Sequence, residues 1–565
     1  MSKPLSVLVL AGCLFAQNEV QPPPPPQDVT PAAVDPTFVH EFGATGAPGS
    51  FRVKFDPRGA GIVFVQMKDH FVDLAAKARA DKTIDDFKLL VWSGDDHAVR
   101  LAAGAGEFAR LAVHTWQHAI VDGAVQFTLD SGKGLKLTKT FKHQPDKRSL
   151  VLELRLDNTT SEAAGAANFD LLLPALENEV ESSLFGNPAR SIATNAAGAN
   201  RASLVPDAAH PAQPLLKVDG LDFGMAGSTN RFFGGFLYPL DDLARRCVFD
   251  VVQETLLPHD PKHAAQPRLV ASLQLPIPPQ ARATTATFGI YLGPKSYHVF
   301  EDVGLRAVLD PIMDFDLEPP CCGSIVIPGG RQMATLLLHL LGFFQGLCHN
   351  WGVAIMLLTI LVRGCLAPLN FKMQKSMRAY SQRMAVLKPK MDKLKEQYVD
   401  DPKGYQQAMI QFQRDNKLMP PLGGCLPIFL TMPIYLGLFT ALRTAYDLRH
   451  QPFCLWITDL SQPDALFALG FWPDWFNLLP LVWMGLMVHL QLKTPLPTDP
   501  QQRQTMMIMR YMPLVFGVLL YNYASGLMVY MVTSMVWTLI ESAITRKILG
   551  PIDPNVQAMA PTPMM

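Results

Sequence analysis

Five apolar segments, all beyond residue 350, constrain this 565-residue chain more than any other feature. They run near Trp351–Phe371, Leu422–Ala445, Trp475–Leu492, Thr505–Tyr521 and Gly526–Thr545, and each is long enough to cross a bilayer as a helix. Their flanks alternate in charge. The loop from Lys372 to Pro420 carries eleven Lys or Arg against five acids, whereas Tyr446 to Asp474 has one basic residue, Arg449, against Asp447, Asp459, Asp464 and Asp474. Lys493 and Arg503 fall in the next loop, and Arg546 and Lys547 follow the last segment. Positive charge on alternate sides gives an orientation with the first half outside and the basic loop and C-terminus in the cytoplasm.

A sixth apolar stretch, Met333 to Cys348, would break that alternation if it crossed. It is interrupted by Thr335, His339, Gly342 and Gln345, so an amphipathic helix in the outer interface is expected. The basic loop is rich in helix formers from Lys372 to Tyr398, with a kink expected at Pro389. Asp400, Asp401 and Pro402 break and restart it, and a second helix is expected to run to about Asn416. Together they make a cytoplasmic helical hairpin over 372–420. Its basic face suits solvent, anionic lipid, or a ribosome or targeting factor, among which composition does not choose.

Residues before about 320 have a different character. Only 17% of the whole chain is charged and the net charge is zero, which argues against an extended basic nucleic-acid surface. From Phe38 to Leu292, short alternating runs such as Leu135 to Phe141 and Leu150 to Leu156 are separated by Gly, Asp, Asn and Pro. That pattern predicts a large antiparallel all-β super-sandwich, here placed at 38–300. It contains no phosphate loop, zinc motif or nucleophile elbow. His97, His114 and His118, with acids nearby, are the sole hint of a carbohydrate-type site, and scattered strand histidines more often lie on solvated faces. The eight cysteines have no metal-finger spacing, and no metal or cofactor is expected.

At the N-terminus, Leu5 to Ala16 would span roughly 18 Å as a helix, short of a hydrocarbon core of about 30 Å. Residues 1–17 therefore suit a signal or short anchor. Leu10 to Cys13 fits a lipoprotein signal, with Cys13 as the lipidated residue, beside the alternative of an incidental Cys in a signal anchor. Residues 18–37, with prolines at 22–26, form a stiff linker, and residues 301–349 link the sandwich to the membrane part. The membrane part is then 350–547 and the cytoplasmic tail 548–565.

Arg363 lies inside the first apolar segment, where a mid-membrane arginine costs about 2.5–3.5 kcal/mol on insertion scales. Such residues face protein or a water-filled cavity. Thr359, four residues earlier, shares its helix face. The last segment carries a stripe at helical spacing, Tyr530, Ser534, Trp537 and Glu541, with Thr533 beside it. Two readings stand here: helix packing with Arg363 snorkelling or paired to Glu541, or a hydrated groove lined by both helices.

These residues resemble the YidC family of bacterial membrane-protein insertases, in its long form with a large periplasmic domain. The resemblance covers about 350–547: Asn350-Trp351-Gly352, Thr359, Val362-Arg363-Gly364, Pro368-Leu369, Pro421 to Pro427, Met432-Pro433, Pro452-Phe453, Leu455-Trp456-Ile457, Asp459-Leu460 and Ser525-Gly526-Leu527. It is thinner at Ser228–Pro239 and Leu292–Tyr297. It implies an inner-membrane insertase and chaperone, not an enzyme, working alone or with the Sec translocon on nascent inner-membrane proteins. A groove open to cytoplasm and lipid would hold Arg363, with Thr359, Ser534, Tyr530, Met432 and Pro433 contacting substrate. The sequence departs from the family at Met531, where a second tyrosine is usual, and at Thr431, where Gln is usual. The alternative classes are a transporter or channel with an anion-binding arginine, and an exported carbohydrate-active domain on an anchor.

Overall fold

In the computed structural model of the chain, the residues described are 37–92, 98–104, 111, 113–160, 165–176, 189–196, 200–207, 209–218, 220–256, 266–316, 330–398, 402–416, 434, 437–439, 441–442, 445–469, 475–492 and 500–550. Cys13, His97, Met432 and Pro433 lie outside them.

The alternating runs of the first half form antiparallel sheets. A nine-stranded sheet is built, in spatial order, from Arg201–Leu204, Arg190–Asn195, Phe223–Thr229, Phe233–Pro239, Arg282–Pro294, Ser149–Asn158, Leu135–Gln144, Ala124–Asp130 and Gln117–Val121. A five-stranded sheet orders Ala212–Lys217, Val248–Leu256, Gln266–Pro276, Ala166–Leu172 and Leu101–Gly104. Four strands between Phe38 and Trp92 make a third sheet in simple chain order. Period-two patterning sets the register. Leu137 faces Leu156, Lys139 faces Leu154 and Phe141 faces Leu152, and all six side chains are fully buried. The Pro145–Lys147 turn closes this pair, with Arg148 in the left-handed region at φ 47°. One large apolar core unites the three sheets, including Phe51, Phe55, Phe127 and Phe141.

Lys139 departs from the pattern. It occupies the inward parity of its strand, is completely buried, and donates from Nζ to the Ala60 carbonyl at 2.7 Å and to the Val99 carbonyl. The Phe141 ring centroid lies 5.2 Å from the amine. Burial pushes its pKa well below the usual lysine range.

The second half contains α1 (Gly330–Cys348), α2 (Trp351–Gln397), α3 (Pro402–Asp415), α4 (Leu478–Leu492), α5 (Pro500–Leu519) and α6 (Ser525–Leu549). Asn350 caps α2 through its Oδ1, which accepts from Val353 N at 3.1 Å. The α2 helix continues through Pro368 and through Pro389, where a kink is expected. Pro402 opens α3, where its missing N–H goes unused. Two helices, Trp351–Ser376 and Ser525–Leu549, are long and apolar enough to cross a membrane, while Leu478–Leu492 and Arg510–Leu519 are shorter apolar helices. Most of the expected 422–445 segment lies outside the described residues. The expected start at Trp475 moves to Leu478, because Trp475–Phe476 pair with Phe467–Ala468 and Asp464 Oδ2 accepts from Leu478 N and Leu479 N.

The helices leave broad apolar faces exposed: Tyr511, Leu514, Val515 and Val518 on α5, and Val536, Ile540, Ile544 and Ile548 on α6. A contiguous surface of this kind suits hydrocarbon rather than water. The α1 helix is apolar on two sides. Leu337 and Leu341 pack into the same core as Ala354, Ile355 and Leu358 of α2, while Leu336, Phe343 and Leu347 are exposed.

The sheets and helices meet through the loop before the second half's short strands. Tyr446 packs against the rings of His70 and Phe233, with centroids 5.7 and 5.8 Å away. Arg449 Nη2 donates to the carbonyls of Phe71 and Val72 at 2.8 and 3.0 Å, and Arg231 Nη2 donates to the Ser461 carbonyl at 3.3 Å. Behind His70, Asp69 binds the imidazole at 2.6 Å, Gly49 N at 2.9 Å and Arg148 at 2.7 Å. Burial raises the Asp69 pKa, but these partners outweigh it and hold the carboxyl below its usual range.

Candidate functional site

Two concavities deserve comparison. The larger, about 730 Å³, lies on the sheets and is lined by His40, Glu41, Lys142, His143 and Glu153 among others. Three of its charged side chains are already paired: Lys142 with Glu153 at 2.5 Å, and Glu41 with Lys68 at 2.7 Å. His143 lies 2.8 Å from the Gly49 carbonyl. His114 and His118 are exposed elsewhere, and His118 stacks on Phe38. No group of three or more metal-type ligands occurs among the described residues. Nothing here converges on a reacting atom.

The smaller cavity lies between helices. Thr359, Arg363 and Tyr530 line it with Val362, Leu366, Ile434 and Leu438, and it holds about 10 Å³, the room of roughly one water. Helical spacing places Thr359 and Arg363 on one face of α2. Arg363 is half-buried and donates from Nη2 to Ser534 Oγ on α6. Ser534, Tyr530 and Thr359 are all buried. The Thr359 hydroxyl donates to the Ile355 carbonyl at 2.7 Å, and Thr533 does the same to Val529 at 2.7 Å, so neither hydroxyl leaves its own helix. Four of six expected groove residues are thus together, and the sequence's arginine meets Ser534 of the last helix.

A polar network gathers at the opposite end of these helices. Asn350 Nδ2 donates to the Phe453 carbonyl at 2.9 Å, and a side chain at Gly352 would overlap the Phe453 ring. Ser525 Oγ donates to the Asp459 carbonyl at 2.9 Å and Gly526 N to the Leu460 carbonyl at 2.8 Å. A Cβ on Gly526 would lie 3.0 Å from that carbonyl oxygen. Asp459 Oδ1 also accepts from His450 N, Ser461 N and Ser461 Oγ at 2.7–3.0 Å. Asp464 accepts from Trp456 Nε1 at 3.2 Å, while Asn477 Nδ2 donates to the Tyr521 carbonyl and the Asn522 side chain. These bonds close that end with buried and part-buried polar groups, and they use the short motifs Asn350-Trp351-Gly352, Pro452-Phe453, Asp459-Leu460 and Ser525-Gly526.

Residues 343–551 match the family described as 60Kd inner membrane protein. The likeness to that family covers the helical segment. Curated relatives are similar over the same scale. A protein of Aeromonas salmonicida named membrane protein insertase YidC is 40% identical over 213 residues, 38% of this chain and 36% of its own length. Its namesake from Pelobacter propionicus is 34% identical over 284 residues, covering 50% and 48%. The matches therefore span about a third to a half of these relatives. Among solved structures, a galactose mutarotase related enzyme from Lactobacillus acidophilus aligns with 45% of this chain and 97% of its own at 10% identity and a TM-score of 0.32. That likeness supports no functional statement. The names of the family's curated members describe insertases rather than enzymes, as the sequence motifs imply.

Proposed function

We propose that this chain is a bacterial inner-membrane insertase and chaperone, with Arg363 as the charged contact for translocating tails of nascent membrane proteins. One observation carries the reading: a half-buried arginine inside a long apolar helix, bonded to Ser534 of the last helix and bordering a cavity with Tyr530 and Thr359. A guanidinium held there costs free energy in hydrocarbon and presents five donors in a fixed fork. Such a fork suits carboxylates, backbone carbonyls or water passing through the cavity. Met432 and Pro433, with Tyr530, are proposed as the apolar slide for the inserting segment.

The finer topology belongs to the same reading. Five spans place the sheets (38–300) in the periplasm and the C-terminus in the cytoplasm, and helices α2 and α3 extend into the cytoplasm as the 372–420 hairpin that receives substrate. Linker boundaries at 18–37 and 301–349, Sec cooperation, ribosome or targeting-factor contact and lipidation at Cys13 are further elements of it. The anion-transporter alternative gains no support from the relatives' names.

Insertion into vesicles reconstituted with purified protein tests the proposal. Arg363→Ala is expected to lower insertion of single-span substrates with acidic tails, and Arg363→Lys to retain part of it. Normal insertion by Arg363→Ala at equal protein density would reject the role of the charge.

A further inference from the structure

Beyond Arg363 the facing helices carry a second polar layer that the groove reading leaves without a task. Helices α2 and α6 both start at the closed polar end and run in the same direction, so equal steps along each reach equal depth. Arg363 meets Ser534; seven residues further, the Asn370 side chain hydrogen-bonds the Glu541 carboxylate, which also lies within reach of the Arg363 charge and keeps its Oε1 unbonded. At 1.5 Å per residue this layer is about 10 Å from Arg363, towards the basic end of both helices. Trp537 sits between the layers, with its ring over Gly364, where a Cβ would be 4.0 Å away.

Ser534 and Thr538 are engaged, the Thr538 hydroxyl donating to the Ser534 carbonyl at 2.9 Å. Glu541 Oε1 and Trp537 Nε1 differ. Both atoms are buried, and neither has a hydrogen-bond partner among the described residues. A carboxylate oxygen only accepts, so what satisfies it is a donor, and a cation satisfies it best. Charge order along the groove is therefore acidic Glu541 first, then basic Arg363. A lysine, an arginine or a free N-terminal amine in a hydrophilic tail is as costly to bring into hydrocarbon as an acid. A fixed carboxylate on the route lowers that cost.

Resting on the insertase reading, we propose that Glu541 is a specificity-determining residue that binds a cationic group of the tail while Arg363 holds an acidic one. The groove thus selects tails with opposite charges about 10 Å apart, which is three residues in extended chain or seven in helix. Trp537 Nε1 adds a donor for a carbonyl of the same tail.

The test uses full-length protein in vesicles and two single-span substrates, identical except for Lys or Gln three residues from a tail aspartate. For wild type, the Lys tail is expected to insert about threefold or more better than the Gln tail, the effect of a partly buried ion pair. Glu541→Gln is expected to bring that ratio to one, and Glu541→Lys to invert it. The ratio is internal to each variant, so reduced folding cancels. An unchanged ratio in Glu541→Gln overturns the proposal. If that variant inserts nothing, moving the lysine along the tail with wild-type protein decides instead: a maximum at three or seven residues supports the site, and a flat profile overturns it. Wild type that inserts neither tail above protein-free vesicles sinks the insertase reading itself.

Discussion

Replacing Lys139 by methionine is expected to change how the stability of the sheets depends on pH, more than it changes stability at any one pH. The amine is fully buried against two carbonyls and an aromatic ring, with its pKa driven well down by burial. In the unfolded chain it titrates near 10.4. Between the depressed folded value and about 10.4 the unfolded state binds the extra proton, so stability is full above the unfolded pKa and falls as pH drops through that window. The limiting slope inside that window is about 1.36 kcal/mol per pH unit. Methionine fills similar volume without titrating, but strands the Ala60 and Val99 carbonyls, at about 1–3 kcal/mol each. Wild type is therefore more stable near pH 10, and the two curves converge as pH falls. Urea titrations of the full chain in detergent, followed by hydrogen exchange of the Leu135–Gln144 and Ser149–Asn158 peptides, measure this directly. Parallel curves for the two proteins would refute the neutral-amine account and mean that the carbonyls and ring stabilise an ammonium.

Other expectations concern the closed end of the helices. Gly352→Leu drives a side chain into the Phe453 ring, and should destabilise by about 1–3 kcal/mol, seen as lost hydrogen-exchange protection around Phe453–Leu460. His450 is held neutral, its pKa lowered to about 4 by burial and then by Arg449, against the opposing pull of Asp459. The loop around His450 is accordingly most stable above pH 6.5 and weakens as pH falls towards 4; His450→Gln should flatten that dependence, measured by exchange between pH 7 and pH 5. Ser534→Ala removes one acceptor of Arg363 and, on the groove reading, should lower insertion less than Arg363→Ala does, measured in the same vesicles.

The sequence made some features plain because they repeat. Alternation in Leu135–Phe141 and Leu150–Leu156 places these strands side by side with their apolar faces inward, and the same parity puts Lys139 inside. Arg363 and the stripe on α6 were legible because helical spacing alone brings Thr359, Arg363, Tyr530 and Ser534 towards one another. Other features depend on distant partners that no local pattern encodes. The docking of Tyr446 on His70 and Phe233, and of Arg449 on the Phe71 and Val72 carbonyls, joins residues more than two hundred positions apart. Likewise α1 was legible as apolar, but that one side packs on α2 through Leu337 and Leu341 follows from tertiary contact. Of the expected groove, Met432 and Pro433 lie outside the described residues.

Photocrosslinking of a stalled nascent chain tests the central claim most directly. A crosslinker placed in turn at Arg363, Tyr530 and Thr359, with Ile360 and Val536 on the exposed apolar faces as references, reads whether substrate enters between α2 and α6. The account predicts adducts of the hydrophilic tail at 363 and 359 and of the apolar segment at 530, with far fewer tail adducts at 360 and 536. Equal tail labelling at all five positions, or none at 363, would contradict it.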